Sequence, residues 1–112
     1  MGKLLEPSKK LASTILTEVG FDDRIIGYRL RERTGPLAIT LYSFEEVVGL
    51  LRDPLPRIDF NQLEGWIREV MGDRELSEKI EEIIEEDSSE QERLWRIRDL
   101  MEERILQSQK VV

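Results

Sequence analysis

The chain of 112 residues contains no cysteine and no histidine, and these two absences exclude much of protein chemistry. Without cysteine the chain cannot form a disulfide bond, a thiolate nucleophile or an iron–sulfur cluster. Without histidine it has no imidazole base and no histidine ligand for a metal ion. The phosphate-binding motifs G-x-G-x-x-G and G-x-x-x-x-G-K-[ST] are also missing. We therefore expect a protein without catalytic residues, cofactor or metal of its own.

Long hydrophobic runs are missing as well. No apolar stretch approaches the roughly 20 residues that span a bilayer, and the N-terminus lacks the apolar segment of a signal peptide. Because both segments are missing, we expect a cytoplasmic protein. The length predicts a single domain over residues 1–112, with 1–7 and 108–112 as frayed ends. The excess of arginine over lysine and the scarcity of amide side chains also suit a thermophilic source.

The charge of the chain is acidic and unevenly distributed. Acidic side chains outnumber basic ones by 24 to 17, a net charge of −7, which argues against general binding to nucleic acids or anionic membranes. Residues 1–58 carry nine basic and eight acidic groups, whereas residues 59–112 carry eight basic and sixteen acidic groups. Such asymmetry favours steered association with another protein or with a second copy of the chain.

Hydrophobic periodicity and capping residues predict a mostly helical α+β fold, with about five helices and one β-hairpin after the first helix. Apolar side chains recur at helical spacing in five segments, and each segment begins with serine or aspartate. Thr34-Gly35-Pro36 supplies a turn between two strand-like segments. Trp66 lies within an apolar helix face and is assigned to the core. The helices are expected at 8–19, 43–51, 59–71, 73–86 and 89–107, and the strands at 25–31 and 37–41.

Arginines are concentrated in the predicted hairpin. Alternate residues of an extended chain share a face, so Arg29, Arg31 and Arg33 are expected to line one side, with Arg24 nearby. Guanidinium groups at this spacing can hold nucleic-acid phosphates or an acidic partner, because arginine pairs with such groups bidentately. The alternative is a solvent-facing surface that pairs with the acidic helices of the same chain. The helices are expected to pack against Tyr28, Leu30, Ile39 and Leu41.

An acidic run marks the predicted junction between the last two helices. Crowded carboxylates can bind calcium or magnesium, which prefer oxygen ligands. The run lacks the D-x-D-x-D-G pattern of an EF-hand loop and has no glycine for its sharp turn. A solvated acidic surface is the alternative interpretation. The residues concerned are Glu81, Glu82, Glu85, Glu86, Asp87 and Glu90.

Residues 27–84 carry a pattern of motifs that resembles a small uncharacterised domain family of archaea. The pattern comprises Tyr28-x-Leu30, Leu41-x-Ser43-Phe44-x-Glu46, Asp59-Phe60 followed by Trp66-Ile67, and Gly72-Asp73-x-x-Leu76-Ser77-x-x-Ile80. In that family a phenylalanine precedes the tryptophan by three residues, where this chain has Leu63, and a histidine upstream is absent here. The family has no assigned activity, so the resemblance implies a fold pattern and no catalytic residues.

The last predicted helix is the most plausible contact surface in the sequence. Trp95 and Leu106 lie beside its main apolar stripe, so they can cover an edge of the core or meet a partner. We therefore hypothesise a small non-enzymatic interaction or regulatory module whose partner is another protein or, as a homodimer through this helix, itself. Nucleic-acid binding at the arginine hairpin and cation binding at the acidic junction are the alternatives.

Overall fold

A computed structural model describes residues 4–31 and 33–112 of the chain. Five helices and a small antiparallel sheet make up this part, which confirms the predicted mostly helical α+β class. The helices are α1 (Lys9–Ile15), α2 (Phe44–Leu51), α3 (Phe60–Trp66), α4 (Arg74–Glu85) and α5 (Glu90–Val111), with a 3₁₀ turn at Phe21–Asp23 and a π-helical turn at Ile67–Met71. The strands are β1 (Ile25–Arg31), β2 (Gly35–Leu41) and β3 (Pro56–Arg57).

All five helices begin at the capping residues that the sequence predicts. In each case the cap oxygen accepts a hydrogen bond from the backbone N–H three residues later, at 3.0–3.2 Å. Such caps typically contribute about 1 kcal/mol each, because they satisfy an N–H that has no partner within the helix. The caps are Ser8, Ser43, Asp59, Asp73 and Ser89.

Helix α1 and the chain ends differ from the sequence prediction. Helix α1 ends at Ile15 rather than Val19. The N–H of Val19 donates instead to the carbonyl of Tyr42, the residue after β2, at 2.7 Å. Frayed ends were predicted at 1–7 and 108–112, and residues 4–7 and 108–112 give a second correction: α5 continues to Val111, and Leu4 and Ser108 are buried. Residues 1–3 lie outside the described part of the chain.

The sheet has the strand order β2-β1-β3. Strands β1 and β2 form the predicted hairpin, paired from Ile25 opposite Leu41 to Arg31 opposite Gly35. The third strand was not predicted, because a two-residue segment that begins with Pro56, two residues after Pro54, shows only as a chain break in the sequence. It lies on the other side of β1, where the N–H of Leu30 donates to the carbonyl of Leu55 at 3.0 Å.

The hairpin was predicted to pack against the helices through the face that carries Tyr28, but it packs through the opposite face. Ile25, Gly27 and Leu41 are buried on the core side, whereas Tyr28 is 42 % exposed. The sequence misleads here because the true core face contains a glycine and two arginines, and therefore appears polar. Gly27 lets Leu50 approach its backbone so closely that a Cβ atom at this position would collide with the leucine. Of the other residues predicted to pack, Ile39 lies against the core and Leu30 is half-buried.

Helix α5 forms the centre of the helical layer and packs against α1, α2 and α4. Five of its buried residues, Leu94, Ile97, Met101, Arg104 and Ser108, follow one another at spacings of three and four, and Leu100 lies beside this stripe, which faces the core. Trp66 is buried in this core, as predicted, and its indole N–H donates to the carbonyl of Asp23 at 2.7 Å. The core includes Ile15, Phe44, Val47, Leu51, Leu63, Ile67, Leu76, Ile80, Ile97 and Met101.

Gly72 ends the π-helical turn in the left-handed conformation, with φ of +74°. An added Cβ at Gly72 meets nothing within 4 Å, so replacement by alanine tests backbone strain alone. We expect Gly72→Ala to lower the free energy of unfolding by about 1 kcal/mol, because L-residues are disfavoured in this region. Gly20→Ala is the matched control: Gly20 also has open space but an ordinary φ of −74°. Urea denaturation should show no loss for the control, and equal stability of both variants would contradict the expectation.

Candidate interaction surfaces

A groove of about 710 Å³ runs between α4 and α5 and is partly open to solvent. Ile83 from α4 and Leu100 from α5 form its apolar floor, and both are almost covered by neighbouring residues. Leu106 stands at one end with 60 % of its surface exposed. The polar residues that complete the lining are Lys79, Glu82, Glu86, Arg96, Asp99, Glu102 and Glu103.

Carboxylates dominate the rim of this groove, with five acidic residues against two basic ones. Arg96 lies across the groove and pairs with both carboxylate oxygens of Glu86. This hydrogen bond raises the pKa of the Arg96 guanidinium above its ordinary value. Glu102 accepts a hydrogen bond at 2.6 Å from Arg52, which follows α2. The lining is therefore acidic overall, but three of its five carboxylates are paired with arginines: Glu86 with Arg96, Glu102 with Arg52 and Asp99 with Arg98.

Trp95 and Leu106, the contact residues predicted from the sequence, lie on the same outward face of α5. They are eleven residues apart, and a rotation of about 100° per residue brings the second side chain back to almost the same direction as the first. The separation along the helix is about 16 Å. Trp95 is 49 % exposed. Asp99 and Glu102 occupy the same stripe between them and also line the groove. The structure thus joins the two apolar contacts to the acidic groove as one surface.

The arginine hairpin is only partly assembled as predicted. Arg29 and Arg31 lie on the same face of β1, but Arg33 lies in the turn because the strand ends at Arg31. Arg29 forms an ion pair with Asp53, which follows α2, so part of this surface pairs within the chain. Arg31 and Arg33 are exposed. Arg24 instead lies over the ring of Phe21, 3.8 Å from its centre.

The acidic junction between α4 and α5 is tied to arginines. Glu86 pairs with Arg96, and its carbonyl accepts a hydrogen bond from Arg93 at 2.6 Å. Glu90 pairs with Arg57 of β3 at 3.0 Å. Within residues 4–31 and 33–112, no group of three acidic side chains is arranged to hold a metal ion. Cation binding at this junction stays a prediction from the sequence.

A buried ionic cluster around Arg104 was missed at the sequence level. Arg104 and Asp73 are each 1 % exposed, and the guanidinium contacts both carboxylate oxygens, at 2.7 and 3.2 Å. Its other N–H groups donate to Glu75, to the carbonyl of Leu5 and to Gln107 at 2.7–3.0 Å. All five guanidinium donors therefore have acceptors.

The same cluster holds the N-terminal segment against α5. The N–H of Leu4 donates to Glu103 at 3.0 Å, and its carbonyl accepts from Gln107 at 2.8 Å. The signal that could have revealed this cluster is spacing, because Arg104 follows Met101 by three residues and Ile97 by seven. An arginine at a core position requires a buried acceptor, since a buried charge without a partner is costly. We interpret the cluster as structural.

No match was found for this chain among known protein families, curated proteins or solved structures. The resemblance to the archaeal domain family stays an expectation from the motifs. None of the helices in the described part of the chain is both long and apolar enough to cross a membrane. Its function must therefore be argued from the surfaces themselves.

Proposed function

We propose that this protein is a small cytoplasmic interaction or regulatory module without chemistry of its own, and that the α4–α5 groove binds a basic amphipathic helix of a partner protein. The observation that carries the proposal is the combination of an acidic rim with Trp95 and Leu106 on one outward face of α5. Solvated carboxylates alone are common, whereas exposed large apolar side chains aligned with them are typical of contact surfaces.

The shape of the groove favours a peptide over a small molecule. Its volume falls within the range of ligand pockets, but it is open to solvent along one side and its rim is charged. From Arg96 to Leu106 the groove follows α5 for about 15 Å, or nearly three helical turns. A helix bound in such a groove places apolar residues every three or four positions against the floor and basic residues against the rim.

Charge determines the kind of helix that fits. Lysines and arginines of a partner would face Glu82 and would compete with Arg98 for Asp99 and with Arg52 for Glu102. An acidic helix would be repelled. Trp95 would cover the end of the bound helix opposite Leu106. Tryptophan is enriched among the residues that contribute most of the binding energy at interfaces. Binding is expected to weaken as salt rises, since the rim carboxylates are solvent-accessible.

Fluorescence anisotropy with a labelled synthetic peptide tests the proposal. The probe has about 14 residues, with leucines at helical spacing and lysines on the remaining face. We expect it to bind, and we expect neither a scrambled peptide of the same composition nor a glutamate-for-lysine version to do so. Glu82→Gln with Asp99→Asn should weaken binding about tenfold, since each exposed ion pair contributes up to about 1 kcal/mol.

Two controls separate the groove from general charge attraction. Glu78→Gln with Glu85→Gln removes the same charge from exposed positions of α4 that do not line the groove, and should leave the affinity unchanged. Trp95→Ala should weaken binding about tenfold, whereas Leu55→Ala, at an equally exposed site before β3, should not. Equal binding of the scrambled peptide contradicts the proposal. So does a dimer in sedimentation equilibrium that Trp95→Ala dissociates, because a second copy would then occupy this face.

A further inference from the structure

Strand β2 forms an edge of the sheet in the part of the chain that the structure describes. The strand order β2-β1-β3 leaves one long side of β2 without a neighbouring strand. The strand has seven residues, and Pro36, Leu37, Ala38 and Thr40 are exposed. An edge of this length presents backbone N–H and C=O groups that can pair with another extended chain.

The hydrogen bonds of β1 show which groups of β2 point outwards. The N–H of Leu30 donates to Leu55 beside β3, so it points away from β2. In an antiparallel pair, residues that face each other alternate between bonded and non-bonded pairs. Leu30 faces Pro36, and with regular register the outward residues of β2 are Pro36, Ala38 and Thr40. Proline at an outward position is consistent, because its missing N–H breaks no bond within the sheet.

The edge therefore offers two donors, the N–H groups of Ala38 and Thr40, together with three carbonyl acceptors. Apolar side chains accompany them on both faces of the hairpin. Leu37 is 40 % exposed on one face, and Tyr28, opposite Ala38 in β1, is exposed on the other. A strand added here would meet backbone partners along its length and an apolar contact on each face.

The charge of the hairpin identifies the chemistry of such a strand. Residues 28–41 contain three arginines and one glutamate in a chain whose net charge is −7. Arg29 is paired with Asp53, so Arg31 and Arg33 supply the positive charge that remains for a partner. Arg31 and Arg33 are exposed at the closed end of the hairpin. Neighbouring strands lie about 4.8 Å apart, so a strand added beside β2 would lie about 10 Å from β1. The long side chain of Arg31 and a glutamate of the added strand can together bridge that distance across β2.

We propose that the β2 edge is a second binding site, which takes up an extended acidic segment of a partner protein by adding it to the sheet as a fourth strand. This goes beyond the proposed groove function and does not depend on it, because the groove favours a basic helix and lies between α4 and α5. The protein would then hold two partner segments of opposite charge, one helical and one extended.

Amide hydrogen exchange of the full chain tests this site residue by residue. The probe is a synthetic peptide of about eight residues in which valine alternates with glutamate. At saturating peptide, exchange at Ala38 and Thr40 should slow by about tenfold or more. Exchange at Leu37 and Ile39 should change little, because their N–H groups already point towards β1. Binding without this alternating protection would overturn the proposal and indicate charge attraction only.

Two variants test the backbone and charge contributions separately. Ala38→Pro removes one outward donor and should abolish protection at Thr40, whereas Ala38→Thr keeps the donor and should retain it. Arg31→Gln with Arg33→Gln should weaken peptide binding about fivefold. If Ala38→Pro unfolds the hairpin, the exchange pattern of the unmodified chain still decides between binding at the edge and no binding there.

Two outcomes would identify a different occupant. Protection of Ala38 and Thr40 that appears without peptide and rises with protein concentration overturns the proposal in favour of a second copy. Preferential binding of single-stranded RNA overturns it in favour of a nucleic acid.

Discussion

Replacing Arg104 with methionine is expected to lower the free energy of unfolding by about 3–5 kcal/mol. The substitution leaves the Asp73 carboxylate almost fully buried without the guanidinium that now contacts both of its oxygens. The loss follows from the uncompensated buried charge rather than from the net contribution of the pair, since buried ion pairs also pay a large desolvation cost. Domains are stable by only about 5–15 kcal/mol, so the change takes a large part of the total.

A double-mutant cycle separates the charge effect from packing in this cluster. Asn at position 73 can still cap α4, so Asp73→Asn removes the charge while retaining the cap. Arg104→Met combined with Asp73→Asn should therefore be more stable than Arg104→Met alone. Arg57→Met, in the exposed pair with Glu90, is the control and should cost less than about 1 kcal/mol. Urea denaturation followed by circular dichroism measures the unmodified chain and the four variants. If Arg104→Met lowers the free energy of unfolding by no more than Arg57→Met does, the buried pair is not required for stability.

Replacing Trp66 with alanine is the second large effect, with an expected loss of about 3–5 kcal/mol. The indole fills a core position on α3, and its N–H holds the carbonyl of Asp23 at 2.7 Å just before β1 begins. Removing it creates a cavity and also frees the segment that leads into the hairpin. Trp66→Phe keeps most of the apolar surface but leaves that carbonyl without its donor, so a loss of about 1–2 kcal/mol is expected.

Trp95→Ala is the matched control for this prediction. Trp95 is half-exposed on α5, so its loss should change the free energy of unfolding by less than about 1 kcal/mol. Unfolding should be followed by circular dichroism, because both substitutions alter tryptophan fluorescence. Equal losses at positions 66 and 95 would contradict the assignment of Trp66 to the core. The contrast also supports the use of Trp95→Ala in the peptide experiments, since that variant should stay folded.

Local patterns were sufficient for the helix starts and the hairpin pairing. A cap and the N–H that it binds are three residues apart, so Ser43 or Asp59 and their partners are both visible in one short segment. The hairpin likewise joins neighbouring segments through a short turn, and β1 has the predicted bounds. The exposed positions of Trp95 and Leu106 also follow from helical spacing within α5. Each of these features depends on interactions between residues that are close along the chain.

Features that depend on distant residues were decided only by the tertiary structure. Arg104 and Asp73 are 31 residues apart, and Leu5 is 99 residues from Arg104, so no local pattern pairs them. The prediction of which hairpin face is buried was wrong because Leu50, which packs on the backbone of Gly27, comes from a later helix. The acidic groove requires α4 and α5 to lie side by side, and the free edge of β2 depends on β3 pairing with β1 instead. The sequence by itself thus determined which helices form and where they begin, and that β1 and β2 form a hairpin, because capping, turns and periodicity act over a few residues. Only packing between elements decided which faces are buried and which surfaces remain for partners.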